Sequence, residues 1–450
     1  MAGTLEESTS HGIRPIPTAH RRLGFPDMFV LWANLGVSFL VMLVGMFLVP
    51  GLSLGGALLA ILVGAILGNA LLGLIATIGA DTGVPTMVLF RPVLGIRGSY
   101  APSLLNALQL IGWATFEVIV MAQAADLLTR RLFGLAESYL CWVAVFTLLS
   151  TLLALGGPVL VVKQWMEKFA TWAVLLTLVW LTAAVLTTYD LSAMLAKAGT
   201  GAISFWLAVD LVAVMPISWV PSVADYSRLA LGRGAAFWGT GLGYFVSHVW
   251  FYALGALLGV SAAVTFDPNA PIAPLLAAIA GLTAGWLALV VLLVGETDES
   301  FANLYSTAVS VQNMLPQAGL RPLILAAGAL VLLLAWCVPL VQYESFLLLI
   351  GSIFVPLLGV ITADYFLLRD RRYDTDEFYR EGGTYWYRGG VNWTAFAVWG
   401  LGIGLYLLIA GLPQLHLPGL APWLGATLPT YLFGLAAYAL AGRWVAVTPR

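Results

Sequence analysis

The sequence predicts an all-α membrane protein with twelve transmembrane helices. Of its 450 residues, 61% are hydrophobic and only 9% are charged, whereas soluble domains are about half apolar and about a quarter charged. Apolar runs of about 20 residues, the length at which a helix crosses a bilayer, recur along the whole chain. Polar residues interrupt a few of these runs, and those interruptions indicate where function resides.

The crossings are predicted at residues 27–49, 55–78, 101–128, 138–156, 168–188, 202–224, 237–262, 284–312, 322–340, 343–367, 391–412 and 423–442. The polar segment 1–26 precedes them and lacks the short apolar region and cleavage site of a signal peptide. The segment 368–390 is rich in Tyr, Asp, Glu and Gly and is predicted to be a cytoplasmic loop.

The distribution of basic residues predicts the orientation. With the N-terminus inside the cell, only Arg130, Arg131 and Lys197 of the 20 Lys and Arg residues fall outside. Cytoplasmic segments of membrane proteins carry such an excess of positive charge. Both termini are therefore predicted to be cytoplasmic, and Arg228 and the segment 369–372 are interpreted as topology anchors. A gating pair of Arg228 with Asp225 is the alternative.

Two crossings carry residues that interrupt a helix. The first contains Asn34, Gly36 and Ser38 near mid-depth, and the sixth contains Pro216 and Pro221. Proline removes a backbone donor, and irregular backbone is tolerated in a bilayer only inside protein or along a cavity. Interrupted helices at corresponding positions of two halves are typical of transporters built from inverted repeats. The alternative is that these residues serve helix packing alone.

The third crossing presents a polar face. Gln109, Trp113 and Glu117 are spaced by four residues, so they lie on one side of a helix. An indole flanked by an amide and a carboxylate suits a planar heterocycle, which needs a stacking surface and hydrogen-bond partners in its plane. In the alternative interpretation, Trp113 is ordinary core and Glu117 pairs with a neighbouring helix.

Three acids, Glu296, Asp298 and Glu299, follow directly on the apolar run 286–294. If the run and the acids form one helix, the acids lie in the bilayer, where an ionised side chain costs at least about 2.5–3.5 kcal/mol and usually marks an ion or substrate path. If the helix ends at Gly295, they lie in a solvated loop. Helical spacing of polar residues favours one long helix, with Asp298 on a different face. The polar stripe consists of Glu296, Glu299, Ser300, Asn303, Thr307 and Ser310.

Other classes of function are disfavoured. Cys141 and Cys337 lie in apolar runs and are predicted to be core thiols, without a disulfide or a metal site. The sequence has no phosphate-binding loop and no nucleophile or metal motif, so neither an ATP-driven pump nor an enzyme is expected. A channel would need a continuous polar pore, whereas the carboxylates cluster at one depth.

Several motifs together resemble the nucleobase:cation symporter family. The resemblance extends from about Arg22 to Arg372 and is most specific between the second and third crossings. It implies a leucine-transporter-type fold, with five-helix repeats at 27–188 and 202–367, unwound first and sixth crossings, and two additional helices at 391–442. The motifs are Gly79–Leu89, Arg91, Gly95–Ser99, Pro102–Asn106, Gly112–Trp113, Ala224–Arg228, Ala302–Ser306 and Ala363–Tyr365.

The resemblance also implies site residues. The substrate would stack on Trp113, and Glu117 stands where the family's hydantoin transporter has a glutamine. Relatives hold sodium with neutral hydroxyls on the eighth crossing, whereas this chain offers carboxylates, so the coupling ion is Na⁺ or H⁺. The expected substrate residues are Gln109, Trp113, Glu117, Ser218, Trp219, Asn303 and Phe39. The expected cation residues are Gly36, Phe39, Gly295, Thr297, Asp298 and Glu299.

The resemblance implies a secondary transporter of the cell's inner membrane that imports a nucleobase or related planar heterocycle. Its partners would be that heterocycle, Na⁺ or H⁺ and the lipid bilayer, with no nucleic acid and no cofactor. The segment Ser218–Asp225 also resembles the branch for hydroxymethylpyrimidine or thiamine precursors. Allantoin or hydantoin is a further alternative substrate.

Overall fold

A computed structural model describes residues 12–134, 137–261, 271–338, 343–412, 417–420 and 423–446. Residues Ala363–Leu368 form a π-helix, and short 3₁₀-helices cover Thr18–His20 and Asp376–Tyr379. Two-residue strands β1, Gly411–Leu412, and β2, Leu417–Pro418, pair antiparallel. The helices are α1 Phe25–Leu35, α2 Phe39–Phe47, α3 Leu54–Thr82, α4 Thr86–Leu89, α5 Arg91–Leu94, α6 Tyr100–Phe133, α7 Tyr139–Gly156, α8 Pro158–Thr188, α9 Leu191–Ala196, α10 Phe205–Ser227, α11 Ala235–Ser261, α12 Ala273–Gly281, α13 Gly285–Met314, α14 Leu320–Cys337, α15 Tyr343–Thr362, α16 Trp393–Ala410 and α17 Thr427–Ala446.

The predicted twelve crossings are confirmed. Within the described residues, nine helices are long and apolar enough to cross a membrane, and the bent pair α1 and α2 makes a tenth. Helices α13 and α17, of 30 and 20 residues, are long enough for the remaining two. Most predicted boundaries lie within a few residues of the helix ends. The exception is 157–167, predicted as a connecting loop, which is the first part of α8.

The first crossing is interrupted as predicted, but the prediction of an interrupted sixth crossing is wrong. Helix α10 runs unbroken through Pro216 and Pro221. Each proline costs the helix one backbone hydrogen bond, and the helix tolerates both losses in a segment that is buried inside the protein from Ala208 to Ser227. Two nearby carbonyls accept additional side-chain donors: Ser218 Oγ donates to Met215 O at 2.6 Å and Gln109 Nε2 donates to Ser218 O at 3.0 Å.

The packing of the helices has an internal correspondence. The sixth crossing, α10, packs along the second, α3, while the seventh, α11, packs along the first, α1 and α2. The eighth crossing, α13, packs along the third, α6. If each of crossings one to five is exchanged with its counterpart among crossings six to ten, the same three pairs result. Two five-helix repeats related by symmetry are expected to pack in this way.

The described N-terminal segment closes one end of the bundle. Arg228, at the end of α10, is 2% exposed and donates to Gly12 O at 2.7 Å and to the Tyr305 hydroxyl at 3.1 Å. The Tyr379 hydroxyl donates to Ile13 O at 2.6 Å. Burial raises the pKa of Tyr379 to about 12, so this hydroxyl keeps its proton at neutral pH. Arg228 therefore has defined partners inside the protein, and its interpretation as a topology anchor stays a prediction.

Arg369 also has defined partners, since it pairs with the buried Asp364 at 3.1 Å and lies over the ring of Tyr385. The two cysteines, in contrast, lie in a different environment from the one predicted. Cys141 on α7 and Cys337 on α14 are exposed, which corrects the prediction of core thiols. Both belong to apolar helices whose outer faces carry exposed leucines, so the two thiols face the side of the bundle that lipid covers.

Helices α2 and α11 approach each other through two glycines. A Cβ at Gly255 would overlap the carbonyl group of Met42, and a Cβ at Gly45 would overlap the carbonyl group of Tyr252. We predict that Gly255→Ala lowers the free energy of unfolding by about 1–3 kcal/mol through overpacking, measured as a lower Tm in detergent. Gly404→Ala on α16 is the control, because a Cβ there meets nothing within 4 Å. Equal Tm values for the two variants would contradict this packing.

Candidate functional site

The break in the first crossing lies beside α11. Helix α1 ends at Leu35, α2 begins at Phe39, and the two axes are bent by 60°. A Cβ at Gly36 would overlap the Ser247 hydroxyl and lie 3.3 Å from Tyr244 O, so only glycine permits this close approach. Ser38 caps α2 by accepting a hydrogen bond from Leu40 N at 3.1 Å. The break is therefore a defined turn that exposes the N-terminal amides of α2.

The acids of the eighth crossing are buried inside the bundle. Helix α13 runs without interruption from Gly285 to Met314. Glu296, Asp298 and Glu299 are 1%, 0% and 4% exposed. The expectation of one long helix with sheltered acids is confirmed, and the solvated-loop alternative is wrong.

Glu296 makes the direct contact between the two crossings. The Ser38 hydroxyl donates to its Oε1 at 2.8 Å, and the Phe39 amide donates to its Oε2 at 3.0 Å. Sequence reasoning placed Glu296 on the polar stripe but left it out of the expected cation residues. Its spacing of three residues from Glu299 was the available signal, since it puts both acids on one face of α13.

A second set of carboxyl contacts leads from the break to the third crossing. Glu299 lies close to both Ser38 and Glu117. Asn303 Nδ2 donates to Glu117 Oε1 at 2.7 Å. Since an ionised carboxylate has no donor, the contact between the two glutamates is a hydrogen bond only when one of them holds a proton. The break, α13 and α6 are thus joined by a continuous polar chain.

Trp113 and Trp219 have different aromatic neighbours. Trp113 meets Phe346 of α15 edge-on, at a centroid distance of 5.2 Å and an angle of 72°. Trp219 instead meets Trp32 of α1 edge-on, at a centroid distance of 6.0 Å. The structure therefore places Phe346 beside Trp113, a partner that no local sequence pattern indicated.

Three acceptor atoms in this region have no donor within the described protein. They are Gln109 Oε1, Glu117 Oε2 and Asn303 Oδ1, and all are buried. The amide group of Gln109 is held by its Nε2, which donates to Asn106 Oδ1 at 2.7 Å and to Ser218 O. Buried acceptors without donors are rare in proteins and call for a partner from outside the chain.

The expected cation residues have different neighbours. Gly295 lies opposite Val37 and Val174, and the Thr297 hydroxyl donates to Val294 O at 2.6 Å. Asp298 accepts from Trp165 Nε1 of α8 at 2.9 Å. Glu299 and the Phe39 amide belong to the polar chain described above. Gly36, Phe39 and Glu299 therefore lie at the break, whereas Asp298 faces α8.

Comparison with known proteins identifies related transporters. Residues 15–426 match the model of a family described as permeases for cytosine/purines, uracil, thiamine and allantoin. The chain is 25% identical over 446 residues to a hydantoin permease of Microbacterium maritypicum, covering 93% of this chain and 89% of that protein. It is 26% identical over 418 residues to an allantoin permease of Bacillus subtilis, covering 87% and 84%.

A solved structure shares the fold. A nucleobase-cation-symport-1 family transporter, in a closed conformation with bromovinylhydantoin bound, superposes with a TM-score of 0.82 at 23% identity, covering 97% of this chain and 95% of that one. The chain accordingly has the leucine-transporter-type fold that its motifs implied.

The cap at the break is predicted to be unusually important for stability. We expect Ser38→Ala to lower the free energy of unfolding by about 1 kcal/mol for the lost cap, and by about 1–3 kcal/mol more because Glu296 loses a buried donor. Ser53→Ala is the matched control, since Ser53 caps α3 without contacting an acid. Thermal unfolding of both variants in detergent checks this, and equal losses of Tm would show that the contact with Glu296 contributes nothing.

Proposed function

The chain belongs to the family of permeases for cytosine/purines, uracil, thiamine and allantoin, and we propose that it imports a planar, neutral heterocycle rich in N–H groups. It is a secondary transporter of the membrane by its family and fold. The proposal concerns what it carries and which of its own residues bind the cargo.

The observation that carries the proposal is the set of buried acceptors beside Trp113. Gln109 Oε1, Glu117 Oε2 and Asn303 Oδ1 have no donor in the described protein. Glu117 and Asn303 are hydrogen-bonded to each other, and Gln109 lies two helical turns from Glu117 with Trp113 between them. A flat ligand with ring N–H or exocyclic amine groups would supply the missing donors while its face stacks on the indole.

Phe346 and the remaining expected substrate residues would complete the enclosure of the ligand. Phe346 stands at the edge of Trp113, where it would limit the size of the ligand. Ser218 and Trp219 lie on the unbroken α10, and Ser218 offers its carbonyl to Gln109. Phe39 begins α2 at the break. Ser218, Trp219 and Phe39 would line the ligand site on the side opposite the third crossing.

The heterocycle would be a nucleobase of the cytosine or purine type, with hydantoin or allantoin as the second candidate. The observation that supports the second candidate is the similarity to the two relatives described above, a hydantoin permease and an allantoin permease. Hydroxymethylpyrimidine is a third candidate, supported by the resemblance of the segment Ser218–Asp225. All of these compounds are flat and carry several N–H or amine donors.

Import would be coupled to Na⁺ or H⁺. Within the described residues, Glu117, Glu296, Asp298 and Glu299 take part in no ion pair shorter than 4.0 Å. Buried carboxylates need a compensating cation or a proton. A cation at the break would be held by Gly36, Phe39 and Glu299 together with Gly295, Thr297 and Asp298. A proton would be held by a carboxyl group of the same polar chain.

Orientation and alternating access complete the proposal. Both termini would lie in the cytoplasm, as the excess of basic residues on one side indicates, and the membrane would be the cell's inner membrane. The contacts of Arg228 and Tyr379 with the N-terminal segment would then close the cytoplasmic end. Release of the cargo inward would require these contacts to open as one helix bundle rocks against the other.

Trp113→Ala tests the stacking surface. We expect the Kd for the transported heterocycle to rise by about 10–100-fold, since stacking of a base on an aromatic ring contributes about 1–3 kcal/mol. Binding of cytosine, uracil, hypoxanthine, allantoin, hydantoin and hydroxymethylpyrimidine to purified protein is the measurement. Trp336→Ala on α14 is the control, because that indole lies on the outer surface. An unchanged Kd in the folded Trp113 variant would place the site elsewhere.

Separate Na⁺ and pH gradients across proteoliposomes test the coupling. We expect an inward gradient of one of the two ions to drive accumulation of the labelled heterocycle, because the buried acids need one of them as a counter-charge. Dissipating that gradient with an ionophore should release the accumulated label. Uptake that equilibrates but ignores both gradients would identify a facilitator and overturn symport.

A further inference from the structure

We propose that Glu296 is a specificity-determining residue that occupies the anion position of the broken first crossing and thereby excludes heterocycles bearing a carboxylate. This inference rests on the proposed transport of heterocycles and defines the charge class of the cargo. It assigns a role to an acid that neither the expected substrate residues nor the expected cation residues include.

The first step concerns the N-terminus of α2. The half-helix Phe39–Phe47 begins inside the bundle, and its free amides and dipole favour a negative group. In transporters with broken helices, such an N-terminus points at the anionic group of the substrate. In a protein of this architecture, the beginning of α2 is therefore the natural place for a substrate carboxylate.

The second step is that the chain itself fills this place. The Phe39 amide donates to Glu296 Oε2 at 3.0 Å, and the next amide, of Leu40, donates to the Ser38 hydroxyl oxygen at 3.1 Å. The Ser38 hydroxyl proton is used as well, since it is donated to Glu296 Oε1 at 2.8 Å. Glu296 is 1% exposed, so the contact is sheltered from solvent. The first two amides of α2 thus have no capacity left for a ligand.

The third step is independent and electrostatic. Glu117 and Glu299 lie beside the same position, since Glu299 is close to Ser38 and Glu117 is near enough to Glu296 for their charges to interact. None of the three acids has an ion-pair partner within 4.0 Å among the described residues. A ligand carboxylate would meet three acidic groups at a place where the first two amides of α2 are already occupied, whereas a neutral ligand with N–H groups would meet acceptors.

The wild-type protein gives the first test. Uracil and orotate share a ring and differ by one added carboxylate. Nicotinamide and nicotinate share a ring and differ in that the first carries an amide where the second carries a carboxylate. For whichever parent compound binds, we expect the carboxylate partner to bind at least about 100-fold more weakly, because its buried charge would remain unpaired. Comparable Kd values within a pair would overturn the inference while leaving transport of heterocycles intact. If no heterocycle binds, the proposed function fails, and the second test below still decides the role of Glu296.

The second test removes the acid and returns it as a small molecule. Glu296→Ala deletes a CH₂–COO⁻ group that acetate matches in size and charge. We expect acetate to raise the Tm of this variant in a saturable manner by mass action, and acetamide, its neutral counterpart, to have no effect. The same salt should leave the wild type and Asp126→Asn unchanged. Asp126 is a buried acid on α6 that pairs with Arg130 at 2.6 Å.

The variants also have a transport readout. Acetate should restore heterocycle uptake by Glu296→Ala about tenfold or more, the effect of one charge-assisted hydrogen bond. Glu296→Gln fills the same space as the wild-type side chain, so acetate should not affect this variant. It also tests the proposal if the alanine protein does not fold. The amide NH₂ of the glutamine would oppose the donors of Ser38 and Phe39 and should therefore lower the Tm. A Glu296→Gln protein as stable as the wild type, or a Glu296→Ala protein indifferent to acetate, would overturn the proposal.

Discussion

The hydrogen bonds from Ser38 and Phe39 to Glu296 are the contact on which the rest of the site depends. They join the first and eighth crossings at the bend between α1 and α2, which among the described residues is the one bent pair of helices that could form a broken crossing. A broken helix in a bilayer leaves backbone amides without partners, and each costs free energy unless another group satisfies it. Here an acid from the opposite half of the chain satisfies the break, and the same face of α13 continues to Glu299 and Asn303.

This arrangement connects the proposed ion and cargo positions without a long path. Ser38 donates to Glu296, Glu299 lies close to both Ser38 and Glu117, and Asn303 donates to Glu117. A change of charge on any member alters the hydrogen bonds available to the next. Binding of a cation or proton at the break and binding of a heterocycle beside Trp113 would therefore influence each other through direct contacts.

The sequence predicted the features that repeat along the chain. Twelve crossings follow from the spacing of apolar runs, and the buried α13 follows from the helical spacing of its polar residues. Features that depend on distant neighbours were beyond it. The bond between Ser38 and Glu296 spans 258 positions, and Phe346 reaches Trp113 from a helix that no local pattern associates with it. The sixth crossing was predicted to break because two prolines free backbone carbonyls, yet it runs as one helix in a segment that the protein buries from Ala208 to Ser227.

The affinity for the heterocycle as a function of Na⁺ and of pH tests the central claim most directly. If ion and cargo share one network, one of the two ions must lower the Kd of the heterocycle by about 5–150-fold, and the heterocycle must tighten binding of that ion by the same factor. Titration of purified wild-type protein in detergent gives both numbers without imposing a gradient. A Kd that stays constant across both titrations would contradict a shared network at the break.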